Sequence, residues 1–214
     1  MSRKQTYEGH KMRVHFDLDR CIHARRCVLG LPGVFRTDER AWIHPDDAEA
    51  DDLVALIRTC PSGALSYERV DGGPAEKPPE VNIARLWEHG PVEVHGDLKL
   101  GGEDAGTRAV LCRCGRSKNK PWCDNSHREM GFKATGEPKP SDSPSEPEER
   151  GGPLALTPLK DGPLQVIGNL EVVSGSGRRL DCSGETYFCR CGGSAKKPYC
   201  DGTHAKIGFT ADGD

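Results

Sequence analysis

The stretch C-R-C-G-R-S-K-N-K-P-W-C-D-N-S-H, residues 112–127, is repeated as C-R-C-G-G-S-A-K-K-P-Y-C-D-G-T-H, residues 189–204. Both copies follow the spacing C-x-C-x8-C-x3-H. Three thiols and one imidazole at identical spacing in two places are typical of a metal site. The sequence therefore predicts two sites of one kind. The candidate ligands are Cys112, Cys114, Cys123 and His127 in the first copy and Cys189, Cys191, Cys200 and His204 in the second.

The residues around each motif suggest how the chain brings its ligands together. Residues 110–111 and 187–188 are expected to end a strand that leads into the C-x-C pair. The third Cys and the His are four residues apart, a spacing that predicts one shared turn of helix. Asp124 and Asp201 then fall at the start of that turn, where a carboxylate can bond backbone N–H groups.

Basic residues surround the candidate ligands in both copies. They could dock an acidic redox partner, offset the charge of a bound cluster, or simply form a solvated surface, and the sequence leaves these interpretations open. The residues are Arg113, Arg116, Lys118 and Lys120 in the first copy and Arg190, Lys196 and Lys197 in the second.

Both stretches resemble the CDGSH iron–sulfur domains, the mitoNEET family, whose pattern is C-x-C-x2-S-x3-P-x-C-D-G-S-H. Ser117 and Pro121 stand at the Ser and Pro of that pattern in the first copy. Asn125 replaces the Gly there, and Asn is the next most tolerant residue of positive φ. The resemblance implies a [2Fe–2S] cluster in each copy, with two Cys on one iron and Cys plus His on the other. Cys3His also suits structural zinc, so zinc remains the alternative metal.

A third group of cysteines lies near the N-terminus. Cys21 and Cys27 precede a distant Cys60-Pro pair, as in bacterial ferredoxins, but Ala24 occupies the middle Cys position. The segment resembles the divergent mono-cluster ferredoxin domain and the small [3Fe–4S] ferredoxins. These resemblances favour a [3Fe–4S] cluster on the three cysteines. A [4Fe–4S] cluster completed by water or by His23 is the second possibility, and zinc or unligated thiols the third.

The chain divides into a ferredoxin-like segment, two CDGSH copies and two connections. The fold class predicted is α+β: a small ferredoxin-like N-terminal domain plus a β-rich tandem CDGSH pseudo-dimer, with little regular secondary structure. Residues 138–153 are rich in Pro, Ser and Glu and are expected to be disordered. The predicted boundaries are 10–70 for the ferredoxin domain, 71–80 for a linker, 81–136 for the first CDGSH domain, 137–153 for a disordered linker and 154–214 for the second CDGSH domain.

Within the ferredoxin segment, apolar and polar residues alternate over residues 12–18, which predicts a strand. Asp residues at 46–47 are expected to cap a helix that ends shortly before Pro61, because proline disfavours helical geometry in the preceding residue. A short strand over 64–67 is expected to return beside the first.

Composition excludes several classes of protein. The net charge of -3 gives no overall attraction to nucleic acid. No apolar run approaches the roughly 20 residues that a membrane span needs, and no apolar signal-peptide core follows Met1. We therefore expect neither a nucleic-acid partner nor a membrane. Ten cysteines without a secretion signal point to a reducing compartment, so the expected location is cytoplasmic.

The resemblances imply one-electron transfer, or storage and delivery of iron–sulfur clusters, with a separate redox partner such as a reductase, a flavoprotein or a cluster acceptor. No Ser–His–Asp set, phosphate-binding Gly loop or catalytic carboxylate pair is apparent, so a conventional enzyme is not expected. Two alternatives remain: a redox enzyme component that passes electrons to a flavin or quinone, and a zinc-binding structural module. Each CDGSH copy is too small to bury a stable core alone, so the two are expected to pair within the chain.

Overall fold

A computed structural model describes residues 3–142 and 149–213. The chain forms two units, Met1–Lys77 and Pro78–Asp214. Both units combine β-strands with a few short helices, so the α+β class is confirmed. Among the residues described, no helix has the length and hydrophobicity that crossing a membrane requires.

The N-terminal unit is a three-stranded antiparallel sheet with two helices. Strand β2 (Met12–Asp17) lies in the middle and has a buried residue at every second position, which explains why sequence alternation revealed it. Strand β1 (Lys4–Glu8) was not predicted, because its residues are almost all exposed and show no apolar period. The elements are β1 (Lys4–Glu8), β2 (Met12–Asp17), α1 (Arg26–Gly30), α2 (Ala50–Arg58) and β3 (Leu65–Arg69).

Helix α2 ends where the sequence predicted but begins later. The predicted caps belong to a separate 3-10 helix, Pro45–Asp47, and Glu49 precedes the first turn of α2. Asp46 does not cap α2 because its carboxylate accepts a hydrogen bond from the His10 backbone at 2.8 Å. Leu53 and Ile57 are fully buried and pack α2 onto the unit's core. Cys60 follows the C-terminal end of α2, and the packing of this helix fixes its position.

The C-terminal unit is built on one large sheet. Its strands are β4 (Ile83–Leu86), β5 (Val92–His95), β6 (Asp97–Leu100), β7 (Glu103–Asp104), β8 (Arg108–Leu111), β9 (Pro153–Pro158), β10 (Leu164–Val173) and β11 (Arg179–Phe188), and its helices are α3 (Ser126–Glu129) and α4 (Thr203–Lys206). Within the sheet the strands follow the order β7-β6-β9-β10-β4-β5-β8, and β11 also pairs with β10.

Strands from the two sequence repeats alternate within this sheet. Strand β4 pairs antiparallel with β5 of its own repeat and parallel with the second half of β10, where Ile83 faces Glu171. Strand β9 pairs antiparallel with the first half of β10 and parallel with β6 of the other repeat. The first strand of each repeat is thus inserted between its own repeat and the other. The buried core contains residues of both repeats.

The predicted disordered linker is partly ordered. Residues 143–148 lie outside the described part of the chain. On one side of them, the Ser141 N–H donates to the Leu180 carbonyl at 2.7 Å. On the other side, the Arg150 carbonyl accepts from the Asn82 N–H at 2.9 Å, and β9 begins at Pro153. These two flanks are held by backbone hydrogen bonds to the sheet, and the disorder of the linker between them stays a prediction.

Candidate metal centres

Each CDGSH repeat brings its four candidate ligands together as two pairs. The C-x-C pairs follow directly after β8 and β11, and the two sulfurs of each pair lie 3.7 Å apart. In the first repeat the Cys123 sulfur lies 3.5 Å from Nδ1 of His127. In the second repeat the Cys200 sulfur lies 3.3 Å from Nδ1 of His204.

These distances fit the edge of a metal tetrahedron. Two sulfurs about 2.3 Å from one tetrahedral metal lie ~3.8 Å apart, and a sulfur and an imidazole nitrogen lie ~3.5 Å apart. All four pairs in the protein agree with those values to within a few tenths of an ångström. The donor separation in each pair is therefore compatible with two ligands of one tetrahedral metal.

The four ligands of a repeat do not converge on a single ion. Across residues 3–142 and 149–213, no group of three or more His, Cys, Asp or Glu side chains is arranged to hold a metal ion. A mononuclear zinc site would need all four ligands around one point. Each repeat thus presents two separate ligand pairs.

The local structure between the third Cys and the His differs from the predicted helical turn. Helix α3 begins only at Ser126, after Asn125 in the left-handed region with φ of 70°. Gly202 takes the same conformation before α4, with φ of 82°. The left-handed residue turns the chain back, so the Cys and the His meet although only the His is helical. Asn in place of Gly is tolerated here, as the sequence analysis expected.

The aspartates after the third Cys hold the ligand loops in place. Both oxygens of Asp124 accept backbone hydrogen bonds, from Ser126 at 3.0 Å and from Lys118 at 2.8 Å. Asp201 repeats this arrangement with Thr203 and Ala195. Each carboxylate therefore ties the C-x-C loop to the turn that carries the His.

Backbone N–H groups point at the candidate ligand sulfurs. The N–H of Arg116 donates to the Cys114 sulfur at 3.5 Å, and the N–H of Asn125 donates to the Cys123 sulfur at 3.4 Å. The second repeat has the equivalent two bonds. The hydrogen bond that Cys112 donates lowers the pKa of Cys114, while the same bond and burial raise the pKa of Cys112. Backbone N–H groups that donate to cysteine sulfurs stabilise the thiolates and raise the reduction potential of iron–sulfur clusters.

Arg113 and Arg190 do not belong to the basic rim that the sequence suggested. The Arg113 side chain is 1% exposed. It donates to the carbonyls of Gly90 at 2.7 Å, Trp87 at 2.6 Å, and Thr135 and Ala134 at 3.0 Å each. Burial lowers its pKa to about 10, and no described carboxylate forms a salt bridge with it. The Arg113 guanidinium therefore links four backbone carbonyls of the first repeat.

Arg190 is the counterpart of Arg113 in the second repeat and is 3% exposed. It donates to the carbonyls of Gly162, Asp212, Leu159 and Ala211. Both arginines occupy the middle position of a C-R-C motif, but that pattern does not reveal that their side chains are buried.

The two ligand loops contact one another directly. Gly115 follows the first C-x-C pair, and a Cβ there would collide with the carbonyl of Cys191; Gly192 is placed in the same way against Cys114. The ammonium of Lys120 lies 5.9 Å from the centre of the Phe209 ring. Reciprocally, that of Lys197 lies 5.8 Å from the Phe132 ring. The two metal centres are therefore parts of one structural assembly.

The two CDGSH centres differ in access to water. In the first repeat all three cysteines are buried and His127 is 8% exposed. Burial lowers the pKa of His127, which favours the neutral imidazole that a metal needs. In the second repeat Cys191, Cys200 and His204 are only half-buried. Protons and competing ligands thus reach the second centre more readily.

The N-terminal unit places its three cysteines around one cavity of about 630 Å³. Cys27 lies in α1, Cys60 follows α2, and Cys21 precedes the loop to α1. Burial is the largest cause of a raised pKa for Cys21 and Cys27, and repulsion from Cys60 adds to it. Ala24 lines the same cavity, at the place of the missing cysteine.

Two other residues, His23 and Cys182, lie outside the ligand pairs described above. His23 is exposed, and its Nδ1 lies 4.0 Å from the Cys21 sulfur. Cys182 is 2% exposed on β11, opposite Glu171, within the sheet rather than in a ligand loop.

Comparisons with known proteins agree with this geometry. A family described as "Divergent 4Fe-4S mono-cluster" matches residues 7–70, and one described as "Iron-binding zinc finger CDGSH type" matches residues 89–128 and 161–205. Uncharacterized protein YjdI of Escherichia coli (strain K12) is 41% identical over 61 residues, 28% of this chain and 80% of that protein.

Two further relatives correspond to the separate parts of the chain. Ferredoxin-2 of Streptomyces griseolus is 41% identical over 54 residues, 25% of this chain and 69% of that protein. CDGSH iron-sulfur domain-containing protein 1 of Rattus norvegicus is 36% identical over 70 residues, 32% of this chain and 60% of that protein. The chain therefore belongs to the divergent 4Fe-4S mono-cluster family through its N-terminal unit and carries two CDGSH-type domains, which makes it an iron–sulfur protein.

Proposed function

We propose that this protein carries three clusters and acts in one-electron transfer in the cytoplasm. Each CDGSH repeat holds one [2Fe–2S] cluster, with its C-x-C pair on one iron and its Cys–His pair on the other. The N-terminal cysteines, Cys21, Cys27 and Cys60, hold a [3Fe–4S] or a [4Fe–4S] cluster. A separate redox protein supplies or removes the electrons, and the chain itself is not a conventional enzyme.

The pairing of the ligands is the observation that carries this proposal. Each repeat presents two separate pairs of donor atoms, Cys–Cys and Cys–His, instead of one four-ligand site. This arrangement supports a dinuclear centre over a mononuclear zinc site. The sulfurs also accept backbone hydrogen bonds, a feature that tunes cluster potentials. The interleaved strands support the proposal that the two repeats act as an intramolecular pair.

Cluster delivery is a second candidate function for the C-terminal repeat alone. Its ligands Cys191, Cys200 and His204 are half-buried, whereas their counterparts in the first repeat are buried. A cluster that must leave needs access for an acceptor's thiols, and the second centre offers more of it. If the second centre delivers clusters, we expect it to transfer iron and sulfide to an apo-ferredoxin faster than the first centre does.

Iron and sulfide counts together with electron paramagnetic resonance test the main proposal. We expect seven irons per chain with a [3Fe–4S] cluster, eight with a [4Fe–4S] cluster, and four with the CDGSH centres alone. An oxidised [3Fe–4S] cluster has an odd electron count and gives a signal before reduction, whereas oxidised [2Fe–2S] centres are silent. Purified protein with stoichiometric zinc and no iron would refute the proposal.

A further inference from the structure

The charges of the N-terminal unit are balanced at one end of α2 and in positive excess at the other. At the start of α2, Asp46, Asp47 and Glu49 line a shallow depression, where their carboxylates contact the side chains of His10, Arg36 and Lys11 respectively. Arginines surround the cluster cavity at the other end of α2, where Cys60 lies: Arg25, Arg26 and Arg40 all line it. Helix α2 has nine residues, so roughly 14 Å of helix separates the two ends.

The arginines at the cavity are available to an external partner. All three are exposed. Within the described ranges neither Arg25 nor Arg40 takes part in a salt bridge, and Arg26 donates to the Thr59 carbonyl at 2.8 Å. Glu39 is the acidic residue that lines the cavity, and it is already paired with Arg36 at 3.5 Å and with His44 at 2.8 Å. The mouth of the cavity therefore carries an excess of positive charge.

An exposed apolar residue lies one helical turn from Arg25. Leu29 is on α1, two residues after Cys27, is 70% exposed, and donates its N–H to the Arg25 carbonyl at 3.0 Å. A large exposed apolar side chain close to exposed cations has the composition of a small protein-docking surface. The arginines line the cavity that holds the three cysteines, so a partner bound to them lies at its mouth.

We propose that the surface formed by Arg25, Arg26, Arg40 and Leu29 docks an acidic electron-transfer protein that exchanges one electron with the N-terminal cluster. The exposed arginines attract such a partner, whereas the carboxylates at the other end of α2 already have basic side chains as partners, so the attraction is concentrated at the mouth of the cavity. This inference rests on the proposed electron-transfer function and adds to it the docking site and the charge of the partner.

Other occupants fit the surface less well. Nucleic acid prefers extended basic surfaces, whereas this surface presents three arginines around one cavity. A second copy of the chain could present its own residues at 46–52, but those residues lie the length of α2 away from Cys60 and would bring no second cluster near. An acidic redox protein satisfies both the charge and the purpose of the site.

The test uses the full, cluster-loaded chain and two protein oxidants of opposite charge. Acidic plastocyanin, whose Cu(II) accepts one electron to become Cu(I), and basic cytochrome c, whose Fe(III) becomes Fe(II), are each mixed with the dithionite-reduced protein. The state of the N-terminal cluster is followed by its own paramagnetic signal after rapid freezing. The test variant is Arg25→Ala/Arg26→Ala/Arg40→Ala, and the matched control, Lys77→Ala/Lys133→Ala/Lys139→Ala, removes three exposed cations that do not line the cavity.

We expect the arginine variant to react about tenfold more slowly with plastocyanin at low ionic strength, and faster with cytochrome c, than the unmodified protein. Leu29→Ser should slow both oxidants, and the lysine control should match the unmodified protein. Equal rates for the two triple variants, tighter binding of duplex DNA than of plastocyanin, or arginine-dependent self-association would overturn the docking proposal. A protein whose clusters transfer electrons to neither oxidant would instead refute the electron-transfer function itself.

Discussion

Replacing Arg113 by Met should strongly destabilise the C-terminal unit. The side chain is buried and its guanidinium satisfies four backbone carbonyls, those of Gly90, Trp87, Thr135 and Ala134. Methionine fills a similar volume but donates to none of them. At about 1 kcal/mol net for each lost hydrogen bond, the substitution costs roughly 4 kcal/mol. A domain of this size loses about 2–4 °C of Tm per kcal/mol, so Tm should fall by roughly 8–16 °C.

The assay is thermal unfolding of the cluster-loaded protein, followed by far-ultraviolet circular dichroism and by visible absorbance of the clusters. Arg116→Met is the matched control, because Arg116 is two residues beyond Cys114 and exposed. Surface substitutions of this kind change stability by about 0.5 kcal/mol or less. Arg113→Lys should be nearly as harmful as the Met variant, since one ammonium cannot span four carbonyls. A Tm for Arg113→Met within 2–3 °C of the Arg116→Met value would refute the assigned role.

The remaining predictions concern the CDGSH centres. Lowering the pH below about 6 should bleach the visible absorbance of both centres, because protons compete with iron for the imidazoles. The half-buried His204 site should decay before the buried His127 site, because the lowered pKa of His127 favours its neutral form. Equal decay rates at the two sites would contradict this order. His127→Cys and His204→Cys should each give an acid-resistant centre of lower potential, measured by redox titration, and unchanged values would show that the imidazoles are not ligands. Gly115→Ala should disturb the visible spectra of both centres at once, whereas an effect limited to the first would contradict their direct contact. Cutting the chain within 143–148 should leave two fragments that migrate together on size exclusion, and free separation would exclude an intramolecular pair.

Sequence spacing indicated which candidate ligands lie close in pairs, because metal chemistry restricts the distance between donors. The C-x-C and C-x3-H patterns led to pairs that the structure holds at tetrahedral distances. The helical turn expected between Cys123 and His127 was wrong, since φ at Asn125 is decided by the loop and not by the four-residue spacing. Spacing reports which residues meet, but several backbone paths can join them.

Other features lay beyond sequence reasoning because they depend on long-range packing. Strand β1 shows no alternation of apolar residues and forms because β2 offers it an open edge. The burial of Arg113 and Arg190 arises from carbonyls far away in the chain, and their charge had suggested a surface position. The parallel pairing of β4 with β10 joins residues almost ninety positions apart, and no local pattern encodes it.

The interleaved sheet has a consequence for how the two centres can diverge. In a dimer of identical chains every substitution appears twice, so the two faces must remain equal. Here both halves of the assembly belong to one chain, and each can change alone. The chain shows such differences around its ligands: Lys118 and Arg128 in one half stand where Ala195 and Ala205 stand in the other. One gene product can thus present two unlike metal centres, one buried and one accessible, at a fixed separation and in a fixed ratio.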